Sequence, residues 1–230
     1  MAHTNRPAVT LSYAQSLDGS ITARAGRPTA LSGPEALRFT HRLRANHDAI
    51  LVGIGTVLAD DPQLNVRLFD GPQPRPIILD HTLRCPLEAR CLEVARHPIV
   101  VTTDRASVGR QHDFEMAGIS VMRLRTSSEN ADYIDLPAVL DRLIREGVQS
   151  IMVEGGAHII TSFLQARLVD RIILTLAPVL LGGLHGIMEP LATDDCLPRL
   201  RYVIVQSLGR DWIIAGEPDW GVAQQNDTAP

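Results

Sequence analysis

The chain has 230 residues, 45% hydrophobic and 21% charged, with 22 basic against 26 acidic residues and a formal net charge of -4. That length suits one soluble globular domain with a sizeable core, and the acidic balance gives no support for nucleic-acid binding. Every basic residue is arginine, which excludes Schiff-base and pyridoxal-phosphate lysine chemistry and a Walker lysine, and leaves any anion held by a side chain to the arginine fork.

The start of the chain, residues 1–7, is polar and carries no signal-peptide pattern. Residues 8–13 (AVTLSY) alternate like a strand, and Asp18-Gly19 marks a turn after it. A short second strand over 20–25 leads into a polar loop, and Pro34 opens a helix at its favoured first position. That helix runs to about Ala45, with Leu37, His41 and Arg44 near one face. Residues 48–53 (DAILVG) form a buried strand that feeds a glycine-led turn into one or two helical turns, stopped by Pro62. Asn65, Val66 and Arg67 read as a short extended piece.

Strands follow at 76–79 and 98–102, a short helix at 111–117 and a strand at 119–124. A polar loop covers 127–135, and a helix over 136–146 stops at Gly147. Ile151, Met152 and Val153 are a buried strand, and Ile159, Ile160, Phe163 and Leu164 then recur at helical spacing. Between strand and helix lie Glu154, Gly155 and Gly156. Glycine permits a sharp turn and a close ligand approach, and a helix N-terminus suits a phosphate. The stretch is neither G-x-G-x-x-G nor G-x-x-x-x-G-K-[ST], and a plain tight turn fits it equally well. A strand over 170–177, a loop containing Leu181-Gly182-Gly183, and a hairpin of 200–207 with 212–215, turned at Gly209, complete the order. The tail 223–230 is polar. We expect a single domain over 1–222.

Strands alternating with helices predict an α/β fold with a mostly parallel sheet and a C-terminal antiparallel hairpin at one edge. Ligands bind such sheets outside the carboxyl ends of the strands. There the sequence places 14–16, 53–56, 102–104 and 154–158. Cys85, Cys91 and Cys196 lack C-x-x-C spacing, so neither a disulfide framework nor a zinc site is expected. The longest apolar segment, 172–183, is too short and proline-interrupted to span a membrane. The expected compartment is the cytoplasm.

Four segments together resemble a known family: Ser16-Leu17-Asp18-Gly19, the G-x-x-T-V-x-x-D-D-P stretch over 53–62, the R-P-x-x-L-D strand over 75–80, and Val153-Glu154-Gly155-Gly156. Their order and spacing are similar to those of the riboflavin-biosynthesis reductase domain, 5-amino-6-(5-phosphoribosylamino)uracil reductase. The similarity covers about residues 9–215. It implies a dihydrofolate-reductase-like fold, NADPH as hydride donor, a phosphoribosylaminopyrimidine substrate and a homodimer. In many bacteria this reductase is fused to a zinc deaminase bearing H-x-E and P-C-x-x-C; neither pattern occurs here, so the chain looks like the reductase half alone.

The resemblance also implies roles. At the cofactor stand Ala14, Gly53, Thr56, Asp60, Thr103, Gly155, Gly156, Ala157 and His158. At the substrate stand Arg44, Leu64, Arg67 and Glu154, with Leu64 against the pyrimidine. Apart from the resemblance, Arg105 reads first as a surface arginine and second as a partner for the 2′-phosphate, and nothing in the sequence fixes a general acid, for which Asp60 is the candidate to test. No metal is implied. Two rival readings share the same cofactor segments: a pterin reductase such as one acting on dihydrofolate, and a non-catalytic pyridine-nucleotide-binding module.

Overall fold

The computed structural model describes residues 5–93, 97–126, 134–193 and 197–221. Cys196, the tail from 223 onward and most of the 127–135 loop lie outside the described residues.

The first half of the chain contributes β1 (Ala8–Gln15), β2 (Ser20–Thr22), α1 (Pro34–Ala45), β3 (Ala49–Gly53), α2 (Ile54–Asp60), β4 (Arg75–Leu79), α3 (Arg90–Glu93) and β5 (Ile99–Thr103). The second half adds α4 (Val108–Met116), β6 (Ser120–Leu124), α5 (Leu136–Arg145), β7 (Ser150–Gly155), α6 (Ala157–Gln165), β8 (Arg171–Leu176), β9 (Leu184–His185), β10 (Arg199–Leu208) and β11 (Asp211–Asp219). Asp135 caps α5 through its side chain, accepting the Ala138 N–H. Gly147 follows α5 at φ +86°, a left-handed turn that suits glycine.

Nine strands make one sheet in the order β10-β11-β8-β1-β7-β3-β4-β5-β6. From β8 to β6 every neighbouring pair is parallel. The β10–β11 hairpin adds two antiparallel strands at one edge, through β11 against β8. The mixed fold expected from the sequence is the fold observed.

Both faces of the parallel region are covered, which is why its strands are nearly continuous in apolar residues. Alternate strand residues serve opposite faces. Val9, Leu11, Leu51, Ile77 and Val101 pack against Val139, Leu140 and Leu143 of α5 and Ile160, Phe163 and Leu164 of α6. Their neighbours Ile50, Val52, Ile78 and Val100 pack against Val57 of α2 and Phe114 of α4.

Several details differ from the reading of the sequence. The second strand ends at Thr22, because it has only β9 to pair with in a separate two-stranded sheet. Neither β9 nor the single turn α3 has a periodicity to announce it. Residues 65–67 form no strand. Instead Leu64 adopts φ +47° and turns the chain inward, burying its side chain in the core beneath β3 and β4.

Candidate functional site

The carboxyl ends of β1, β7 and β3 are adjacent in the sheet, and a cleft of about 1290 Å³ opens above them. Ala14 at the end of β1, Gly53 at the end of β3 and Glu154 in β7 all line it. So do Gly156, Ala157 and His158 at the start of α6, and Thr56 and Asp60, one turn apart on α2. Eight residues singled out from the sequence therefore meet in one cavity.

The glycines have different local reasons. Gly155 sits at φ +124°, which side-chain-bearing residues rarely adopt. The Gly155–Gly156 peptide is cis. A Cβ at Gly156 would lie 3.3 Å from the Thr56 hydroxyl, so the floor between α6 and α2 stays open only without a side chain. A Cβ at Gly53 would lie 2.6 Å from Cγ1 of Ile159. Gly53 therefore lets α6 pack against β3. α6 has Gly156 as its N-cap and no side-chain cap, leaving its first N–H groups available to an anion.

Arg44 and Glu154 form a two-pronged pair: Nε donates to Oε1 at 2.6 Å and Nη2 to Oε2 at 2.7 Å. Nη1 of Arg44 also donates to the Asn65 carbonyl at 3.0 Å. Burial works against the Arg44 charge, but Glu154 outweighs it, so the net effect is to hold the guanidinium more firmly protonated. Arg67 stays exposed, with Nη1 on Oδ1 of Asn65 at 3.2 Å. Desolvation, Arg44 and Arg90 all push its pKa down. Such crowding of positive charge is relieved by an anion.

Asp60 has a raised pKa through desolvation, which favours the protonated acid. Tyr13, another lining residue, is pushed up to about 12 by burial and stays a neutral phenol. Tyr13 was not read from the sequence, and neither were Ser12, Thr175 or Met188, which also line the cleft. Thr103 and Leu64 lie off the cleft wall. Thr103 is fully buried, its hydroxyl donating to the His81 carbonyl at 2.9 Å, while His81 itself lines the cleft. Leu64 is 2% exposed and belongs to the core. Gly155 is buried behind Gly156, and Arg105 is not among the lining residues. Among the described residues no group of His, Cys, Asp and Glu is arranged to hold a metal.

Residues 7–214 match the family model of the RibD C-terminal domain. The chain belongs to that family. A RibD C-terminal domain relative, the 2,5-diamino-6-ribosylamino-4(3H)-pyrimidinone 5′-phosphate reductase of Debaryomyces hansenii, is 41% identical over 78% of each chain. The enzyme of the same name from Archaeoglobus fulgidus is 37% identical over 77% of this chain and 83% of its own. Riboflavin biosynthesis protein RibD of Aquifex aeolicus is 33% identical over 91% of this chain but only 57% of its own length. Among solved structures, the riboflavin biosynthesis reductase Rib7 of Saccharomyces cerevisiae superposes with a TM-score of 0.77 at 30% identity, covering 95% of this chain and 93% of that one. A dihydrofolate reductase from Enterococcus faecalis, at 12% identity and a TM-score of 0.54 over 92% of this chain and 96% of its own, shares the fold alone.

Proposed function

We propose that this RibD C-terminal domain is an NADPH-dependent reductase of riboflavin biosynthesis, acting on a phosphoribosylaminopyrimidine as a cytoplasmic homodimer. The observation that carries the reading is an uncapped glycine-led helix start and Glu154 together on the cleft wall, with Glu154 paired to Arg44, which like Arg67 is not itself among the residues that line the cleft.

The chain's residues fit a dinucleotide. The N–H groups at the start of α6 would take the pyrophosphate, across the space a Gly156 side chain would fill. Thr56 offers a hydroxyl to the same space, and the small side chain of Ala14 leaves room for a flat nicotinamide. NADPH, when bound, supplies the hydride that reduces C1′ of the ribosylamino group to the ring-opened ribitylamino product. Glu154, fixed in direction by Arg44, accepts hydrogen bonds from ribose hydroxyls or an amino group. Arg67 receives the phosphate. Asp60, whose pKa desolvation raises, is the candidate to hold the proton that the reduced sugar takes up. Holding donor and acceptor together accounts for much of the rate.

The phosphorylated sugar is favoured over a pterin by the arginines: Arg44 and Arg90 both crowd Arg67 with positive charge, and an unphosphorylated ring has no use for that field. The resemblance in the sequence implied the deaminated uracil compound, whereas the D. hansenii and A. fulgidus relatives carry the name of a reductase of the diamino-pyrimidinone. The test is NADPH oxidation by purified protein with each pyrimidine and with dihydrofolate. Turnover of a phosphoribosylaminopyrimidine is the expected result. NADPH binding without turnover of any of the three would refute the enzyme reading, and turnover of dihydrofolate alone the substrate reading.

A further inference from the structure

His41 is 2% exposed, on the inner side of α1, and the chemistry above does not use it. Its Nδ1 accepts the backbone N–H of Arg67 at 3.1 Å, so the ring proton resides on Nε2. The imidazole also hydrogen-bonds the Asn65 backbone. Asn65 in turn takes Arg44 through its carbonyl and Arg67 through its side chain. Residues 61–67 have no regular secondary structure, so side chains hold their backbone. Gln73 clasps Val66 from one side, with two hydrogen bonds of 2.8 Å, and His41 holds Arg67 from the other.

We propose that His41 is a positioning residue for substrate: by accepting the Arg67 backbone N–H it sets that guanidinium beside Arg44, where the substrate phosphate is received. The inference rests on the phosphosugar reading above. Packing alone does not call for an imidazole, since an aliphatic side chain fills a buried helix position as well. What the site calls for is a neutral acceptor. Burial first, then the charges of Arg44 and Arg67, press the His41 pKa down to about 4 against the opposing pull of Glu154. It therefore remains an acceptor at neutral pH.

Two variants separate positioning from packing. His41→Leu keeps bulk and removes the acceptor; His41→Asn places an amide oxygen close to where Nδ1 accepts. With the full chain, His41→Leu should raise KM for the phosphorylated pyrimidine about tenfold, leaving kcat, NADPH affinity and KM for the dephosphorylated pyrimidine near wild type. His41→Asn should recover most of that loss, and adding His41→Leu to Arg67→Ala should cost little more. Wild-type KM in His41→Leu, equal losses on both pyrimidines, or failure of His41→Asn to rescue a folded protein would each overturn the proposal. Calorimetry with ribose 5-phosphate needs no turnover and keeps the two readings apart. Binding that weakens in His41→Leu, in a protein that reduces neither pyrimidine, sinks the reaction but not His41. No binding of that probe to wild type sinks His41 as well.

Discussion

Arg44 and Arg67 carry the same charge and have opposite relations to solvent. Arg44 is committed to Glu154, both side chains being largely enclosed, at 12% and 14% exposure. Removing one partner of such a pair strands the other's charge, so Arg44→Ala should cost about 3 kcal/mol in urea unfolding. Arg67→Ala should change stability by less than about 0.5 kcal/mol. It should instead lower kcat/KM for the phosphorylated substrate by about tenfold to a hundredfold, the loss of a charge-assisted hydrogen bond. A dephosphorylated substrate should show little change; equal losses on both would move Arg67 to the base or ribose. His41 adds a pH dependence. Its pKa falls from the ordinary 6.5 to about 4 on folding, so the unfolded chain binds the extra proton between those values. Stability from this group is complete above pH 6.5 and is lost as pH falls toward 4. His41→Asn, which does not titrate, should flatten that part of the stability curve, measured by thermal melts across the range.

At the scale of elements, the site depends on how closely α6 approaches β3 and α2. Gly53 permits the first contact and Gly156 the second. Gly53→Ala puts a methyl within van der Waals overlap of Ile159, which should destabilise the fold by about 1–3 kcal/mol. NADPH affinity should fall with it, because the start of α6 moves. Ile159→Ala in the same chain should restore part of both, and additivity in that cycle would show that the two side chains do not meet. Gly156→Val acts differently. Its nearest neighbour is only the Thr56 hydroxyl, so the fold should survive while NADPH titration shows a large loss of affinity. Unchanged affinity would take the dinucleotide away from this turn. The loop after β8 is held as a unit: Asp18 accepts the N–H groups of Leu181 and Gly182 and the hydroxyls of Ser16 and Ser20. Those bonds keep the Asp18 carboxyl far below the usual carboxylate range.

For the whole molecule, the edge strand β10 is an exposed apolar feature. Tyr202, Val203, Ile204 and Val205 follow one another along it and are all exposed, on a strand with a hydrogen-bonded neighbour on one side only. Apolar edges of this kind are normally covered. Arg199 and Arg201 lie toward one end, so antiparallel self-pairing about a two-fold axis keeps the two copies' arginines apart. A homodimer joined here should sediment at twice the chain mass of 25.1 kDa. Val205→Arg should shift it to monomer, and a dimer indifferent to that change would place the interface elsewhere. No helix among the described residues is long and apolar enough to cross a membrane.

The sequence by itself determined most of the elements and their kind. Apolar runs, helical spacing and turn glycines are local properties, and they located β1, α1, β3, β7, α6 and the final hairpin close to their observed bounds. The four family segments were legible for the same reason, since each is a short contiguous stretch, three of them at a strand end and one spanning β4. Only the tertiary structure decided what those ends face. β7 inserts between β1 and β3, and that order brings Glu154 to Arg44, 110 positions away in the chain. It also separates Leu64 and Thr103 from the cleft, because the left-handed turn at Leu64 and the His81 hydrogen bond direct those side chains inward. His41 was visible as a residue on a helix face. Its attachment to Arg67 was not, because a hydrogen bond between a helix and an irregular segment has no period and no motif, and exists only once the core beneath has placed both.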